Sequence, residues 1–168
     1  MVVGLGNPGP SYADTRHNVG YRVFDLLEEK KPEQVFLYRP SVFMNTVGGP
    51  VAQVARKKGV HPHELLVICD DFSIPLGTLR LRLQGSSGGH NGLDSILASF
   101  GTKAVPRVRL GIGPVPAEAD PADFVLQRFP KGDRAVVEKM TARAAEAVLA
   151  ALTDGMDYAM NQFNVSPE

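Results

Sequence analysis

The stretch VGLGNPGPSYADTRHNVG, residues 3–20, decides the fold class and carries the first candidate functional residues. Its apolar start predicts a short buried strand, and the Gly/Pro-rich segment that follows predicts a sharp turn. The stretch then presents His17 between Arg16 and Asn18. A rigid strand followed by a loop with polar side chains is a common way to build a ligand site, so we expect a site where this strand ends.

Strands and helices alternate along the rest of the chain. Apolar or alternating runs predict strands at 35–38, 65–69, 78–84 and 106–112. Helical spacing of apolar residues predicts helices at 18–29, 47–58, 90–100, 122–129, 133–152 and 156–162, with Asn18 and Asp133 as caps of the first and fifth. This order predicts an α/β fold, with a twisted, mixed but mostly parallel β-sheet flanked by helices. No linker divides the sequence, so residues 1–168 are expected to form a single domain.

The composition argues against several classes of protein. Apolar residues make up 43% of the chain, yet no apolar run approaches the roughly 18 residues of a membrane span. Met1 leads directly into strand-like sequence, so we expect no signal peptide and a cytoplasmic location. The single cysteine, Cys69, ends an apolar run and is expected to be a buried, unreactive thiol. The 18 basic and 18 acidic residues balance, which argues against a protein that coats nucleic acid without specificity.

The region from Leu76 to Gly113 is nevertheless locally basic. It holds one acid, Asp94, and the five basic residues Arg80, Arg82, Lys103, Arg107 and Arg109. The arginines alternate with apolar residues, which predicts two strands with a basic outer face. Two interpretations stay open here, a solvated face or a patch that meets an anionic partner.

The glycines of Gly4-Leu5-Gly6-Asn7-Pro8-Gly9 match the dinucleotide fingerprint G-x-G-x-x-G, so a nucleotide-dependent oxidoreductase is one alternative. The match is weak, because Pro8 and Pro10 bracket the last glycine and residues 11–14 show no apolar helical face. In the true fingerprint a helix begins within the glycines and its N-terminus holds the pyrophosphate.

His17 is the best candidate for a general base in the N-terminal half, and Asp70 is the best candidate to hold its second nitrogen. The alternative is structural, with His17 at a helix cap and Asp70 in a turn. Asn7, Asn45 and Asn91 stand at predicted junctions, where amides can orient a water or stabilise an oxyanion. This set favours direct attack of water on an ester or amide. No residues have metal-ligand spacing, so no metal site is predicted.

Seven separated motifs together resemble bacterial peptidyl-tRNA hydrolase, from Val2 to about Asn161. They are Gly4–Gly9 with Tyr12, Thr15–Asn18, Phe43–Asn45, Asp70-Asp71, Pro75–Gly77, Gly88–Leu93 and Arg107–Gly113. The resemblance implies hydrolysis of the ester between peptide and tRNA, which recycles tRNA, by a monomer that needs no metal, cofactor or obligate protein partner. The implied partner is peptidyl-tRNA, bound through its acceptor stem and 3′ end.

The resemblance also assigns roles to residues of this sequence. It makes His17 the catalytic base, Asp70 the carboxylate that steadies it, and Asn7 the residue that reads the peptide bond nearest the ester. The substrate-binding positions that it implies are Tyr12, Phe43, Met44, Asn45 and Asn91. Arg82 and Arg109 resemble positions that meet phosphates of the acceptor stem.

Three departures from the family pattern accompany this resemblance. The segment at 31–35 is shorter than the pattern, Ser73 stands where a second acid is usual, and the loop from Pro114 to Asp123 is acidic where some relatives have lysine. We therefore expect tRNA affinity to depend on Arg82 and Arg109. The competing class is an RNA-binding module without catalysis, which would keep the basic strands but gain nothing from the His17–Asp70 pair.

Overall fold

Five strands form one sheet in the computed structural model, which describes residues 1–165. The strands are β1 (Val2–Gly4), β2 (Leu37–Tyr38), β3 (Leu66–Pro75), β4 (Leu79–Arg82) and β5 (Arg107–Gly113). The helices are α1 (Val19–Lys30), α2 (Gly48–Lys58), α3 (Asn91–Phe100), α4 (Pro121–Val125), α5 (Arg134–Thr153) and α6 (Met156–Phe163). None of these helices is both long enough and apolar enough to cross a bilayer.

The strand order is β2-β1-β3-β5-β4. Strand β1 pairs in parallel with β2 and β3, and β3 pairs in parallel with β5, whereas β4 lies antiparallel to β5. The predicted α/β fold with a mixed, mostly parallel sheet is thus confirmed. In such a sheet the carboxyl ends of the parallel strands lie at one edge, and this brings their following loops together.

The sheet separates two hydrophobic clusters, as expected for parallel strands that are covered on both faces. One cluster includes Ile68 of β3 and residues of α1 and α5, and the other includes Val67 of β3 and residues of α2 and α3. Cys69 belongs to the second cluster and is 1% exposed, and burial raises the pKa of its thiol. The prediction that Cys69 is buried is therefore confirmed, and its low reactivity stays a prediction.

The structure corrects the predicted end of β3. The strand continues past Cys69, because Asp70 and Asp71 remain paired with Leu110 and Gly111 of β5. The two carboxylates are consequently held by a strand ladder and not by a turn, which excludes the interpretation of Asp70 as a turn residue.

Several other predicted boundaries and contacts are wrong. Strand β2 has only two residues, α4 ends at Val125, and β4 ends at Arg82, so that Leu83 is 45% exposed. Neither Asn18 nor Asp133 makes a side-chain cap on the helix that follows it. Local propensity does not decide these features, because neighbouring segments compete for the same backbone and side-chain groups.

The loop between α1 and β2 has two non-glycine residues in the left-handed region. Lys31 ends α1 with φ 46°, and Gln34 has φ 57°. Both conformations are uncommon outside glycine, asparagine and aspartate. Both residues lie in the segment 31–35, and the shortening of this segment relative to the family pattern stays a prediction.

Candidate active site

His17 and Asp70 meet at the centre of the site. His17 Nδ1 lies 2.7 Å from Asp70 Oδ1, and both residues are buried. Asp70 comes from β3, while His17 comes from a short 3-10 helix, Arg16–Asn18, that leads into α1. The predicted pairing of these two side chains is confirmed, although 53 positions separate them in the sequence.

The segment that carries His17 is fixed from the far side by Arg16. The Arg16 guanidinium donates a hydrogen bond to the carbonyl of Arg128 and stacks over the Phe124 ring at 4.3 Å. The backbone N–H of Arg16 donates to the carbonyl of Gln127. These contacts tie the short helix to the residues around α4 and hold the His17 backbone in place.

His90 is a second partner of Asp70 that the sequence did not reveal. Its Nε2 lies 3.0 Å from the same Oδ1, and its Nδ1 accepts a hydrogen bond from the backbone N–H of Leu93. Since Nδ1 is an acceptor, the neutral His90 ring carries its proton on Nε2 and donates it to Asp70. The only signal was its place beside Asn91 in the Gly88–Leu93 motif.

Burial and charge oppose each other at these groups. Burial favours the neutral form of Asp70, but electrostatic interactions and hydrogen bonds with His17 and His90 outweigh it and hold the pKa of Asp70 well below its usual range. Burial likewise disfavours a charged His17, but the Asp70 carboxylate outweighs it and raises the pKa of His17 above its ordinary value. Asp70 therefore stays ionised and strengthens His17 as a base.

The arrangement sets which nitrogen of His17 can take a proton. Asp70 is an ionised acceptor, so Nδ1 of the neutral His17 ring donates to it. The other nitrogen, Nε2, is then unprotonated and can accept a proton from a water molecule.

Asn7 and Asn18 form a reciprocal pair beside His17. The Asn7 backbone N–H donates to Asn18 Oδ1 at 2.8 Å, and Asn18 Nδ2 donates to the Asn7 carbonyl at 2.9 Å. Asn7 Oδ1 in turn accepts from the backbone N–H of Met44. Asn18 thus holds the Gly/Pro-rich loop instead of capping α1, and Asn7 has its Nδ2 left to offer to a ligand.

Most of the predicted substrate-binding residues line one cavity of about 290 Å³. Five parts of the chain line it, namely Asn7, His17, Phe43 to Asn45, Asn91, and the α4 region with Ala122, Val125 and Leu126. Tyr12 adjoins this cavity through Phe43, with the two rings edge to face and their centres 6.0 Å apart. The structure therefore brings these residues together, although their roles toward a substrate remain predictions.

A second cavity of about 270 Å³ is also lined by His17. It shares His17, Asn91, Ala122 and Val125 with the first cavity and extends over Phe72, the glycine-rich segment 87–89 and Asp120. His17 therefore lies at the junction of two cavities.

Comparisons with known proteins show the family of this chain. The family model for peptidyl-tRNA hydrolase matches residues 1–168. The chain belongs to the peptidyl-tRNA hydrolase family. It is 45% identical over 184 residues to a peptidyl-tRNA hydrolase of Moorella thermoacetica, covering 98% of this chain and 97% of that protein. It is 41% identical over 183 residues to that of Elusimicrobium minutum, covering 98% of each.

Solved structures of the peptidyl-tRNA hydrolase family share the fold. The crystal structure of peptidyl-tRNA hydrolase from Acinetobacter baumannii superposes with a TM-score of 0.89 at 28% identity. The match covers 98% of this chain and 93% of that one. The resemblance inferred from the seven motifs is thus confirmed.

Four arginines lie on one face of β4 and β5 in this member of the peptidyl-tRNA hydrolase family. Arg80 pairs with Arg109 and Arg82 with Arg107 across the ladder. The predicted alternation is present, but Arg107 is 1% exposed and not on an open face. Its guanidinium donates to the carbonyls of Val105 and Ser86, so Arg107 braces the loop after β4.

The two arginines predicted to meet phosphate differ in their surroundings. Arg82 is exposed, whereas Arg109 forms an ion pair with the buried carboxylate of Asp71. Asp71 also accepts hydrogen bonds from the backbone N–H and hydroxyl of Ser73. Part of the Arg109 charge is therefore already neutralised, and Arg82 is the more available of the two.

His17, Asp70 and His90 form a cluster whose ligand atoms lie within 4.8 Å of one another. The sequence did not predict this cluster, because its three residues lie far apart in the chain and their spacing matches no metal-binding pattern. His17 Nδ1 and His90 Nε2 both lie within hydrogen-bonding distance of Asp70 Oδ1. The three groups thus satisfy one another, an arrangement that suits proton transfer at His17.

Proposed function

We propose that this protein hydrolyses the ester bond between the peptide and the tRNA of peptidyl-tRNA, and so returns free tRNA to translation. The observation that carries the proposal is the 2.7 Å contact of His17 Nδ1 with Asp70, at the junction of two cavities. Relatives at 41–45% identity are named peptidyl-tRNA hydrolase, which supports the same conclusion.

The proposed reaction is direct hydrolysis. His17 Nε2 takes a proton from a water molecule as its oxygen attacks the ester carbonyl, and a tetrahedral intermediate forms. The bond between the carbonyl carbon and the ribose oxygen then breaks, and His17 returns the proton to that oxygen. The products are a peptide with a free carboxylate and a tRNA with a free terminal hydroxyl.

Amide side chains supply the polar contacts of this reaction. Asn45 and Asn91 line the first cavity with His17, and their amide groups can donate to the carbonyl oxygen as it gains negative charge. Asn7 Oδ1 is held by the Met44 backbone, so Asn7 offers Nδ2 to the carbonyl of the adjacent peptide bond. This contact would favour a peptidyl over an aminoacyl substrate, since the latter lacks that bond.

Basic and apolar side chains would bind the tRNA part of the substrate. The acceptor stem would contact Arg82 and Arg109 through its phosphates, while Tyr12, Phe43 and Met44 would line the path of the substrate near its 3′ end. The proposed enzyme acts as a cytoplasmic monomer, and its reaction as written needs no cofactor or metal ion.

The decisive experiment is the release of free tRNA from an N-acetyl-aminoacyl-tRNA, with the unblocked aminoacyl-tRNA as the control substrate. We expect hydrolysis of the blocked substrate only. His17→Ala should reduce kcat by at least about 10²-fold, because it removes the base, while the circular dichroism spectrum and tRNA binding persist. Near-normal turnover by this variant would exclude His17 as the base, and a wild-type protein that binds tRNA without cleaving it would favour the RNA-binding module.

A further inference from the structure

We propose that Asn164 is a positioning residue for RNA binding, because its side-chain amide holds the strand that presents Arg82 to the acceptor stem. Asn164 directly follows α6 and lies 83 positions from Leu81, the residue to which it bonds. The inference rests on the proposed function, in which Arg82 contacts a phosphate of the tRNA. It adds to the RNA-binding residues a segment that none of the seven motifs includes.

Asn164 takes the place of a neighbouring strand at the edge of the sheet. Strand β4 is the last in the order β2-β1-β3-β5-β4, so none of the described strands pairs with its outer edge. The Asn164 amide bonds to both backbone groups of Leu81. Its Oδ1 accepts from the Leu81 N–H at 2.6 Å, and its Nδ2 donates to the Leu81 carbonyl at 3.2 Å. A paired strand makes the same two kinds of bond, so the amide fixes the backbone of β4 at Leu81.

The Leu81 carbonyl connects Asn164 to Arg82. The Arg82 guanidinium donates to this carbonyl at 3.1 Å, so the amide and the guanidinium share one acceptor. Asn164 fixes the position of that acceptor, and the acceptor in turn holds the exposed Arg82 side chain. An arginine side chain loses rotamer freedom when it binds a phosphate, and a side chain that is already held loses less of it.

The other arginine of β4 bonds to the same residue. The Arg80 guanidinium donates to the backbone carbonyl of Asn164 at 2.6 Å. The segment around Asn164 is itself anchored to α5, since the Arg143 guanidinium donates to the carbonyls of Phe163 and Val165. Both arginines that β4 contributes to the basic face are therefore bonded to Asn164 or to the carbonyl that it holds.

The test measures the binding of an RNA hairpin with the sequence of a tRNA acceptor stem, so that it does not depend on hydrolysis. Fluorescence anisotropy gives the Kd of this hairpin for the whole protein. Asn164→Ala removes the amide but keeps the backbone carbonyl that Arg80 uses. It should raise the Kd by roughly 2- to 10-fold, the cost of ordering one long side chain. The matched control, Gln162→Ala, changes an exposed residue of α6 and should leave the Kd unchanged.

A double-mutant cycle separates positioning from a purely structural role. In an Arg82→Ala background, Asn164→Ala should have little further effect on the Kd, because the side chain that it positions is absent. Urea denaturation shows whether each variant is folded at the temperature of the binding experiment. Asn164→Ser, which keeps a polar group at the edge of β4, replaces Asn164→Ala in the cycle if the alanine variant is unfolded.

Two outcomes would overturn the inference. One is a Kd for Asn164→Ala equal to that of the wild type, and the other is the same increase in Kd with and without Arg82. Either result leaves the hydrolase activity to be judged separately by tRNA release. Conversely, the expected pattern of Kd values in a protein that releases no tRNA from the blocked substrate would retain the role of Asn164 and reject the proposed reaction.

Discussion

Asp70 Oδ1 is the atom around which the site is built. It lies 2.7 Å from His17 Nδ1 and 3.0 Å from His90 Nε2, in a buried position where charge–charge interactions are strong. The Leu93 N–H donates to His90 Nδ1, so His90 Nε2 carries the proton and donates it to Asp70. This hydrogen bond lowers the proton affinity of Asp70, and His90 has no free nitrogen to accept a proton from water. In the proposed reaction, His17 is the side chain that exchanges a proton with water.

The pH dependence of the reaction follows from this pairing. A base is active when deprotonated, and Asp70 raises the pKa of His17, so kcat/KM should fall as the pH drops through an inflection above the ordinary histidine value of 6.5. Asp70→Asn removes the charge and leaves burial unopposed, so the inflection should move to lower pH and kcat should fall by about 10²-fold or more. A pH–rate profile of both proteins measures this.

The control for this profile is His61→Gln, which changes an exposed histidine in the turn before β3. Its inflection should coincide with that of the wild type. An unchanged inflection in Asp70→Asn would show that another group sets the pH dependence.

At the scale of elements, close approach of α2 and α3 positions the segment Met44–Thr46 beside the cavity that Asn7, His17 and Asn91 line. Gly48 permits this approach, since a Cβ there would lie 2.0 Å from the carbonyl oxygen of Ser95. The Gly48 N–H also donates to the Ser95 hydroxyl at 2.9 Å. Its neighbour Gly49, in the same first turn of α2, faces open space.

These two glycines give a matched pair of variants. Gly48→Ala should lower the free energy of unfolding by about 1–3 kcal/mol, because the contact is with backbone that cannot move alone. Gly49→Ala should raise it by about 0.5–1 kcal/mol, because alanine restricts the unfolded chain and fits the helix. Urea denaturation of the two variants measures the difference, and equal effects would contradict close packing of Gly48 against Ser95.

At the scale of the whole molecule, charge is separated even though the net charge is zero. The four arginines of β4 and β5 share one face, with Arg107 and part of Arg109 used internally. Binding to RNA phosphate through such a face releases counterions, so it weakens as salt is added.

The arginines should therefore act on binding more than on chemistry. Arg82→Ala should raise KM more than it lowers kcat and reduce the slope of log KM against log salt by about one. Arg109→Ala should also raise KM, and it should lower stability, because Asp71 is left buried without its partner. Kinetics at several salt concentrations and urea denaturation measure the two effects.

Lys30→Ala is the control for both arginines. Lys30 ends α1, which runs from the site back toward the amino ends of the strands. The KM and salt slope of Lys30→Ala should match those of the wild type. A wild-type KM that does not depend on salt, or a salt slope for Arg82→Ala equal to that of the wild type, would contradict phosphate binding by Arg82.

The repeated spacing of apolar residues was sufficient to predict the α/β class, the mixed sheet and most of the helices, because burial of a strand or helix face imposes a local period. The His17–Asp70 pair was also predicted, since His17 follows the loop after β1, Asp70 follows the apolar run 65–69, and a carboxylate can hold the second nitrogen of an imidazole. The motifs predicted the family, which the comparisons confirm.

Other features required the folded chain. Pairing with β5 extends β3 through Asp71. The guanidinium of Arg107 donates to the carbonyl of Ser86 and is buried. Asn18 bonds to the backbone of Asn7 and does not cap α1. His90 joined Asp70 across 20 positions of sequence. The sequence by itself determined which segments are buried and which side chains can do the chemistry. Only the tertiary structure decided the partners of Arg107, Asn18 and His90. Each of these side chains can bond to many groups of the chain, and packing brings one of those groups within hydrogen-bonding distance.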